Sequence, residues 1–405
     1  MTISPVTAQR LWHFMLLIGG AALAIASFDE ARWGVAQTTA EPGMFNYEPW
    51  YGDALTLLSD REQNALATPQ IAVARARAAL RGQALNARAL RQLAIVDQST
   101  GDERGAMALI QASSAVTRRE FGTQIWLVNH YASAGDVKQA LVHYDLALRA
   151  NGNAAELLFP ILTRALSVAD VRTGLANFLR ADVPWMPAFL NYAIAQTVHP
   201  EDVAAFLVEA GGMPNDSAYE GLLSAFLSRV VTMNQYDLAR RTYLSLHAGP
   251  TRLLAAPDFV TASADNQLGP FGWQLTATPT IGASFVSEQS GAPVALDVFA
   301  ASSETALVAR KLLYLTPGRY GFRLAYAKAQ MGSAGSATWQ LQCAKAATVT
   351  TIWKFAPAVR ADGENEAVFD LPTGCDATYL DLVVAGGDDQ LGSHFGVRKL
   401  AVAKL

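Results

Sequence analysis

Six histidines, the side chains best suited to proton transfer and metal ligation, are scattered along the chain without a second ligand at metal-binding spacing. The sequence contains no H-E-x-x-H motif, no G-x-S-x-G elbow and no Gly-rich phosphate loop before a helix. Ser393-His394 is an isolated dipeptide, for which a turn is favoured over half of a catalytic triad. Asp388-Asp389 offers two carboxylates without the further clustered oxygen ligands that a cation needs. The sequence thus nominates no catalytic residue, no metal and no cofactor.

Cys343 and Cys375 are the two cysteines of the chain, and both lie in its C-terminal third. Two cysteines confined to one region predict a single disulfide in an oxidising compartment. A pair of buried thiols in a cytosolic protein is the alternative. The choice between them depends on whether the chain is exported.

Length and composition favour a multidomain globular protein. A chain of 405 residues predicts two or three domains. Hydrophobic residues make up 51% of it and charged residues 16%, against an average charged share of about 25% in soluble proteins. This composition excludes a disordered chain and supplies large cores. The net charge of -4, without a basic stripe, gives no reason to expect nucleic acid as a partner.

An uncharged segment near the N-terminus, Leu11 to Phe28, is just long enough to span a bilayer as a helix. Arg10 precedes it and Asp29 follows it, so the positive-inside rule places the N-terminus in the cytoplasm and the remaining chain outside. We therefore expect a single-pass anchor over 1–30 in a bacterial inner membrane, a linker over 31–50, and the bulk of the protein in the periplasm. A cleavable signal peptide is the alternative, because Ala24 and Ala26 form an A-x-A pattern.

Turn signals recur through the middle of the chain. Gly101-Asp102 and Gly135-Asp136 lie 34 residues apart, and a further 34 residues lead to Ala169-Asp170. Small residues near these turns, such as Ala94 and Ala106, allow two antiparallel helices to approach closely. The spacing predicts an array of helix pairs over 51–255, and a generic helical bundle is the alternative.

The segment from Gly135 to Asn151, GDVKQALVHYDLALRAN, resembles the tetratricopeptide repeat family. The resemblance implies an all-α solenoid with a concave groove lined by the first helix of each pair. The family geometry places four residues in this groove: Arg88, Arg91, Asn129 and Thr163. Arg91 and Asn129 are then expected to hold a peptide backbone or carboxylate of a protein partner. For each residue, an ordinary solvated helix face is the alternative.

After residue 255 the helical periodicity gives way to alternation. Apolar residues occupy every second position over Tyr320–Tyr326, Trp339–Cys343 and Leu380–Val384, as in strands with one buried face. Breaks that contain Gly or Pro separate these runs. Several such strands predict an all-β antiparallel sandwich or jelly roll over 256–405.

Loose motifs in this region, Pro270 to Trp273, Leu315 to Tyr320 and Phe395 to Arg398, resemble the jelly-roll carbohydrate-binding modules. The resemblance implies glycan binding through exposed aromatic rings, because the faces of pyranose rings stack on them. Trp353 and Phe355 are the candidates for such a platform. A buried position in the sandwich is the alternative for Trp353.

These patterns together predict a membrane-anchored periplasmic adaptor without enzymatic activity. Its repeats would bind a protein partner, its sandwich would bind glycan or protein, and it would support envelope or exopolysaccharide assembly. The alternative is a cell-surface enzyme that acts on glycans through the sandwich, because the paired carboxylates of a glycosidase need not be close in sequence.

Overall fold

The computed structural model describes residues 69–249, 251–257, 259, 269–287, 294–360, 364–390 and 392–405. The predicted membrane segment and the linker of 31–50 lie outside these residues. Within them, no helix has both the length and the apolar composition needed to cross a bilayer. The chain divides into two compact units, Met1–Gly152 and Asn153–Leu405.

The described part of the first unit is α-helical. Its helices are α1 Pro69–Gly82, α2 Ala87–Ser99, α3 Glu103–Val116, α4 Phe121–Ser133 and α5 Val137–Ala150. They form the antiparallel pairs α2–α3 and α4–α5 with the turns where the sequence predicts them.

The turns between these pairs follow from two local features. Gly101 and Gly135 have φ values of 89° and 75°, a left-handed conformation that residues with a Cβ avoid. Asp102 and Asp136 come next and cap the second helix of each pair, since their side chains accept hydrogen bonds from the amides of Gly105 and Gln139. The same Gly-Asp dipeptide therefore ends one helix and begins the next.

Small residues let the first pair pack closely. Ala94 on α2 faces Ala106 and Ile110 on α3, and all three are fully buried together with Leu127 of α4. The structure is therefore consistent with a helical repeat, and membership in the tetratricopeptide family stays a prediction.

The second unit begins with six helices: α6 Ala154–Ala165, α7 Ala169–Arg180, α8 Met186–Gln196, α9 Pro200–Ala210, α10 Leu222–Thr232 and α11 Tyr236–Ser245. The repeat pattern weakens here. Pro160 lies inside α6, and α7 has no side-chain cap at its N-terminus. The buried positions of α7 are Leu175, Ala176 and Leu179. A spacing of 34 from the buried Ala140 and Tyr144 of α5 would instead lead to Gly174 and Phe178.

Ten strands follow the helices. They are β1 Trp273–Leu275, β2 Ile281–Ser287, β3 Val294–Ala300, β4 Thr305–Leu313, β5 Gly318–Gln330, β6 Ser336–Lys345, β7 Thr348–Phe355, β8 Glu364–Leu371, β9 Ala377–Ala385 and β10 Ser393–Lys404. They form two five-stranded sheets, A in the order β1-β4-β9-β6-β7 and B in the order β2-β3-β10-β5-β8. All named pairings are antiparallel, which confirms the predicted antiparallel sandwich.

The core of the sandwich lies between the two sheets. Trp339 of sheet A meets Phe322 of sheet B with ring centroids 5.7 Å apart, and both side chains are fully buried. Along each strand, alternate residues point into this core, so the intervening residues form two outer faces.

The predicted disulfide is confirmed. Cys343 of β6 is bonded to Cys375, which lies between β8 and β9, with their Cα atoms 5.3 Å apart.

Helix α11 packs against the outer face of sheet A, at its central strand β9, through aromatic side chains. Tyr243 meets Phe271 at a centroid distance of 4.9 Å, and Tyr236 meets Tyr379 of β9 at 6.3 Å. The hydroxyl of Tyr314 donates to the carbonyl of Tyr236 over 2.8 Å. The helices from residue 153 onward thus share a compact unit with the sandwich, and the predicted domain boundary at 255/256 stays a prediction.

Candidate binding face on the sandwich

Five polar residues form a continuous line across the outer face of sheet A. Gln274 of β1 pairs with Arg310 of β4, Arg310 pairs with Asp381 of β9, Asp381 pairs with Gln340 of β6, and Gln340 pairs with Lys354 of β7. Each strand of the sheet contributes one residue. We call these five residues the polar row.

The pleat of the strands explains why these side chains point outward. Leu380 and Leu382 flank Asp381, and Trp339 and Leu341 flank Gln340. All four flanking side chains are completely buried in the core between the sheets. Because successive side chains of a strand point to opposite faces, Asp381 and Gln340 must lie on the outside.

An arginine–aspartate pair holds the centre of the polar row. Arg310 Nε and Nη2 donate to the two carboxylate oxygens of Asp381, each over 2.8 Å, and Nη2 also donates to Gln342 Oε1 over 3.2 Å. The Asp381 side chain is 1% exposed and that of Arg310 is 31% exposed. The hydrogen bond to Asp381 raises the pKa of Arg310 despite its partial burial. The guanidinium is therefore fixed in orientation and fully charged.

An aromatic ring supports the same guanidinium from a neighbouring position. The central carbon of Arg310 lies 4.7 Å from the ring centroid of Tyr379. Burial and a hydrogen bond with Tyr236 raise the pKa of Tyr379, so its hydroxyl stays protonated at neutral pH. Helix α11 thus contacts, through Tyr236, the ring that lies beside Arg310 of the polar row.

Several hydrogen-bond donors of this face remain available. A guanidinium has five N–H groups, and the two on Arg310 Nη1 make no hydrogen bond within the described residues. Among the described residues, the half-buried Gln340 amide and the exposed Lys354 ammonium have no side chain as a hydrogen-bond or ion-pair partner. Gln342 uses its carbonyl oxygen on Arg310, which leaves its NH₂ group.

The dimensions of the polar row suit an elongated polar ligand. Five strands at a spacing of about 4.8 Å give a row of about 19 Å. Planar amide and guanidinium groups can each contact two adjacent ligand oxygens, as a chain of hydroxyl-bearing units would present them. Fixed donors also lower the entropic cost of binding, because little ordering remains to be done.

The two aromatic residues predicted as a glycan platform lie on the opposite side of the sheet. Trp353 pairs with Leu341 and Phe355 pairs with Trp339, both of which point into the core. The Trp353 ring lies 5.2 Å from that of Phe322. Both predicted residues are half-buried inner-face residues at the edge of the sandwich.

The four residues predicted for the helical groove do not form one cluster. Arg91 Nε lies 3.2 Å from a carboxylate oxygen of Glu120, and both side chains are 12% exposed. Arg88, on the same helix, lines a different cleft of about 450 Å³ at the helix ends. Thr163 lies on α6 in the second unit, and its Oγ1 is buried without a partner in the described part of the chain.

Asn129 lies on α4, the first helix of its pair. It lines a cleft of about 230 Å³ with Gln98 of α2 and with Trp126 and His130 of α4. Trp126 Nε1 donates to Gln98 Oε1 over 2.9 Å, and its ring stacks on His130 at a centroid distance of 5.3 Å. Sequence analysis missed this aromatic pair, although Trp126 and His130 are four residues apart and therefore share one face of a helix.

Ser393 and His394 begin strand β10, so the predicted turn at this dipeptide is wrong. Their side chains point to opposite sides of the strand. Ser393 Oγ donates to the carbonyl of Gly386 over 3.0 Å, whereas His394 Nε2 lies 3.0 Å from an Asp297 carboxylate oxygen on the outer face of sheet B. Alternation along the strand separates the hydroxyl from the imidazole.

The described residues contain no group of three or more His, Cys, Asp or Glu side chains that could hold a metal ion. The five strands of sheet A carry a single carboxylate, Asp381, which is bound to Arg310. Glycoside hydrolysis by the common mechanism uses two carboxylates in one cleft. The outer face of sheet A is thus equipped with hydrogen-bond donors and one ion pair.

The similar solved structures include carbohydrate-binding modules. No family model matches the chain, and no curated protein matches it. Among solved structures, a family 16 carbohydrate-binding module is 17% identical, with a TM-score of 0.26 over 36% of this chain and 99% of that one. A xylan-binding family 22 module from Paenibacillus barcinonensis is 13% identical, with a TM-score of 0.26 over 38% and 95%.

A third similar structure is the enzymatically active domain of tailspike protein 4 from bacteriophage CBA120. It is 10% identical, with a TM-score of 0.26, and the match covers 33% of this chain and 19% of the tailspike chain. The chain thus spans about a fifth of that protein. At such identities and scores, function has to be argued from the residues of the face itself.

Proposed function

We propose that this protein is a membrane-anchored periplasmic adaptor without enzymatic activity, whose sandwich binds a glycan and whose helical unit binds a protein partner. In this role it would connect a polysaccharide to a protein of the envelope or exopolysaccharide assembly machinery. The observation that carries the proposal is the polar row with its fixed and available hydrogen-bond donors.

The polar row supports glycan binding because its donors are held in place before a ligand arrives. Asp381 and Gln342 fix Arg310, and Arg310 retains the Nη1 donors on the outside of the sheet. Gln340 and Lys354 continue the line of donors to the edge strand. A carbohydrate presents many hydroxyl oxygens, so aligned polar side chains can bind it and fix its orientation through hydrogen bonds.

The cleft around Asn129 supports protein binding by the helical unit. Trp126, half-buried and stacked on His130, provides a rigid aromatic contact, and aromatic residues are frequent among the residues that dominate protein interfaces. The side chains of Gln98 and Asn129 lie beside it and could hydrogen-bond to a peptide backbone.

The proposed compartment is supported by two features of the chain. The disulfide between Cys343 and Cys375 is of a kind that persists in oxidising compartments such as the bacterial periplasm. The uncharged segment Leu11 to Phe28 with Arg10 before it would export the following chain.

A glycan array followed by isothermal titration of the full-length chain in mild detergent tests the sandwich. We expect Gln340→Ala to weaken the affinity for a captured glycan about fivefold, the effect of one lost hydrogen bond. Gln330→Ala is the matched control, because Gln330 is an exposed amide on β5 of sheet B. The proposal fails if no glycan binds or if both variants behave alike. Shortening of the recovered glycan would instead favour the enzyme.

Site-specific photo-crosslinking in membranes tests the helical unit. A photoreactive residue in place of Asn129 should capture one defined protein, whereas one in place of Lys138, an exposed residue of α5, should not capture it. Equal capture at both positions would contradict binding in the cleft.

A further inference from the structure

We infer that the polar row recognises an acidic glycan, one whose sugars carry carboxylate groups. This inference rests on the proposed function and adds the chemical class of the ligand.

The charges of sheet A are unequally distributed. Its five strands contain one acidic residue, Asp381, and the bidentate contact with Arg310 already neutralises it. Lys354 adds a second cation at the end of the polar row, where no described carboxylate lies within ion-pair distance. The polar row therefore has two positive charges and one negative charge.

The position of Lys354 makes its charge usable by a ligand. It lies on the edge strand β7, its side chain is exposed, and it is next to the half-buried Gln340 in the register. An ammonium group at this point can contact a carboxylate while the Gln340 amide binds a neighbouring hydroxyl. Arg310 Nη1 offers a second pair of donors three strands from Lys354 in the sheet, with the planar geometry that matches a carboxylate.

The charge of the whole chain strengthens the inference. The net charge of -4 gives the chain as a whole no attraction for a polyanion. A face with one neutralised carboxylate and an exposed ammonium supplies a local attraction that the net charge does not. Electrostatic complementarity of this kind sets specificity and the rate of association.

Matched pairs of polysaccharides separate charge from sugar shape. The probes are alginate, polygalacturonate and hyaluronan, each beside its carboxyl-reduced neutral form, and titration uses the full-length chain in mild detergent. We expect at least one acidic probe to bind about fivefold more tightly than its reduced form, the upper range for an exposed ion pair. The difference should shrink as salt is added. Polyglutamate should bind more weakly than that probe.

Variants of Lys354 test whether this side chain causes the difference in affinity between an acidic probe and its reduced form. Lys354→Gln should lower the affinity for the acidic probe to that for its reduced form, and Lys354→Arg should retain the preference. Lys399→Gln is the matched control, because Lys399 is an exposed lysine on sheet B that faces Glu364 at 3.6 Å. If Lys354 serves only to protect the edge strand from pairing, Lys354→Gln leaves glycan affinity unchanged and the inference is wrong.

The possible outcomes separate the inference from the proposal on which it rests. Equal binding of acidic and reduced probes overturns the acidic ligand and leaves glycan binding intact. Binding of polyglutamate as tight as that of the best probe overturns it too, because any polyanion would then suffice. Absence of binding to every acidic and neutral probe overturns the proposed function itself.

Discussion

The outer faces of the two sheets differ in how their charged side chains are paired. On sheet B, Arg323 lies 2.9 Å from Glu366, Lys399 lies 3.6 Å from Glu364, and His394 lies 3.0 Å from Asp297. Every one of these pairs is solvated, and exposed pairs contribute little to stability. On sheet A, the ion pair between Arg310 and Asp381 is largely buried, and Lys354 has no partner among the described residues.

In the proposed function, this difference separates an inert face on sheet B from a binding face on sheet A. On the outer face of sheet B, charged side chains pair across neighbouring strands, so they satisfy one another. A face that fixes one guanidinium in a buried pair and leaves its other donors open is preorganised for a ligand. The predictions that follow test the parts of sheet A on which this comparison depends, in order of decreasing effect.

The largest effect is expected for the central ion pair. Arg310→Met leaves the buried Asp381 carboxylate without a counterion and should lower the free energy of unfolding of the second unit by about 4 kcal/mol. Arg323→Met removes an arginine of similar position from sheet B, where both partners are more than 60% exposed, and should cost less than about 1 kcal/mol. Denaturant titration of both variants measures the difference, and equal losses would contradict it.

A double variant separates stability from binding at the same place. Arg310→Met combined with Asp381→Leu removes the uncompensated charge, so most of the stability should return. Glycan binding should stay lost, because the Nη1 donors are gone. Recovery of binding together with stability would show that Arg310 serves the fold alone.

The second largest effect is expected for the disulfide, which ties sheet A to the connection between β8 of sheet B and β9 of sheet A. It links Cys343 of β6 to Cys375, 32 residues later in the chain. Opening a loop of this length should cost about 3 to 4 kcal/mol in the free energy of unfolding, in the chain-entropy account of disulfides. Cys343→Ser with Cys375→Ser, titrated with denaturant beside the wild type under oxidising conditions, measures this. A loss below about 1 kcal/mol would contradict that account here.

The third largest effect is expected for Trp353, an aromatic residue on the inner face of sheet A. Its substitution compares the two sides of that sheet. Trp353→Ala should cost about 2 kcal/mol of unfolding free energy, less than a fully buried tryptophan would, since it leaves a partial cavity beside Phe322 and Phe369. Its glycan affinity should be unchanged, because the ring points away from the polar row. If a folded Trp353→Ala protein lost its affinity for glycan, the aromatic platform would be the binding site.

The smallest effect concerns pH. Burial and the hydrogen bond with Tyr236 raise the pKa of Tyr379, while the nearby Arg310 lowers it by a smaller amount. A tyrosine in the unfolded chain ionises near pH 10. As pH rises through that value the unfolded state loses its proton first, so stability should be constant below it and fall above it.

Thermal unfolding between pH 8 and pH 11 checks this, with Tyr379→Phe as the variant that lacks the hydroxyl. We expect the variant to show a smaller decline above about pH 10 than the wild type. Some decline should remain, because burial also raises the pKa of Tyr326 to about 12 and that of Tyr314. Identical pH profiles would contradict the assignment to Tyr379.

Local patterns were sufficient to predict much of the fold. The Gly-Asp turns at 101 and 135 and the alternation of Trp339 to Cys343 gave the helix pairs and the strands, because both depend on neighbours in sequence. The disulfide followed from the count and location of two cysteines. The attachment of α11 to the sandwich was missed, because the contact between Tyr236 and Tyr379 joins residues far apart in the chain.

The candidate site was missed for the same physical reason. Asp381 between two buried leucines and Gln340 between Trp339 and Leu341 could be recognised as outward-facing polar residues from alternation alone. Their alignment depends on the register between strands, which brings Arg310 beside the carboxylate of Asp381, 71 residues later in the chain. Trp353 lies on the inner face of sheet A. Alternation along a strand separates two faces, but the aromatic character of a residue does not tell which face is buried.

A crystal structure of the full-length chain with an oligosaccharide identified by the array tests the central claim most directly. We predict that the sugar lies across the outer face of sheet A, with its oxygens within hydrogen-bonding distance of Arg310 Nη1 and the Gln340 side chain. A sugar stacked at the sandwich edge on Trp353 and Phe355, or bound to the outer face of sheet B, would contradict it.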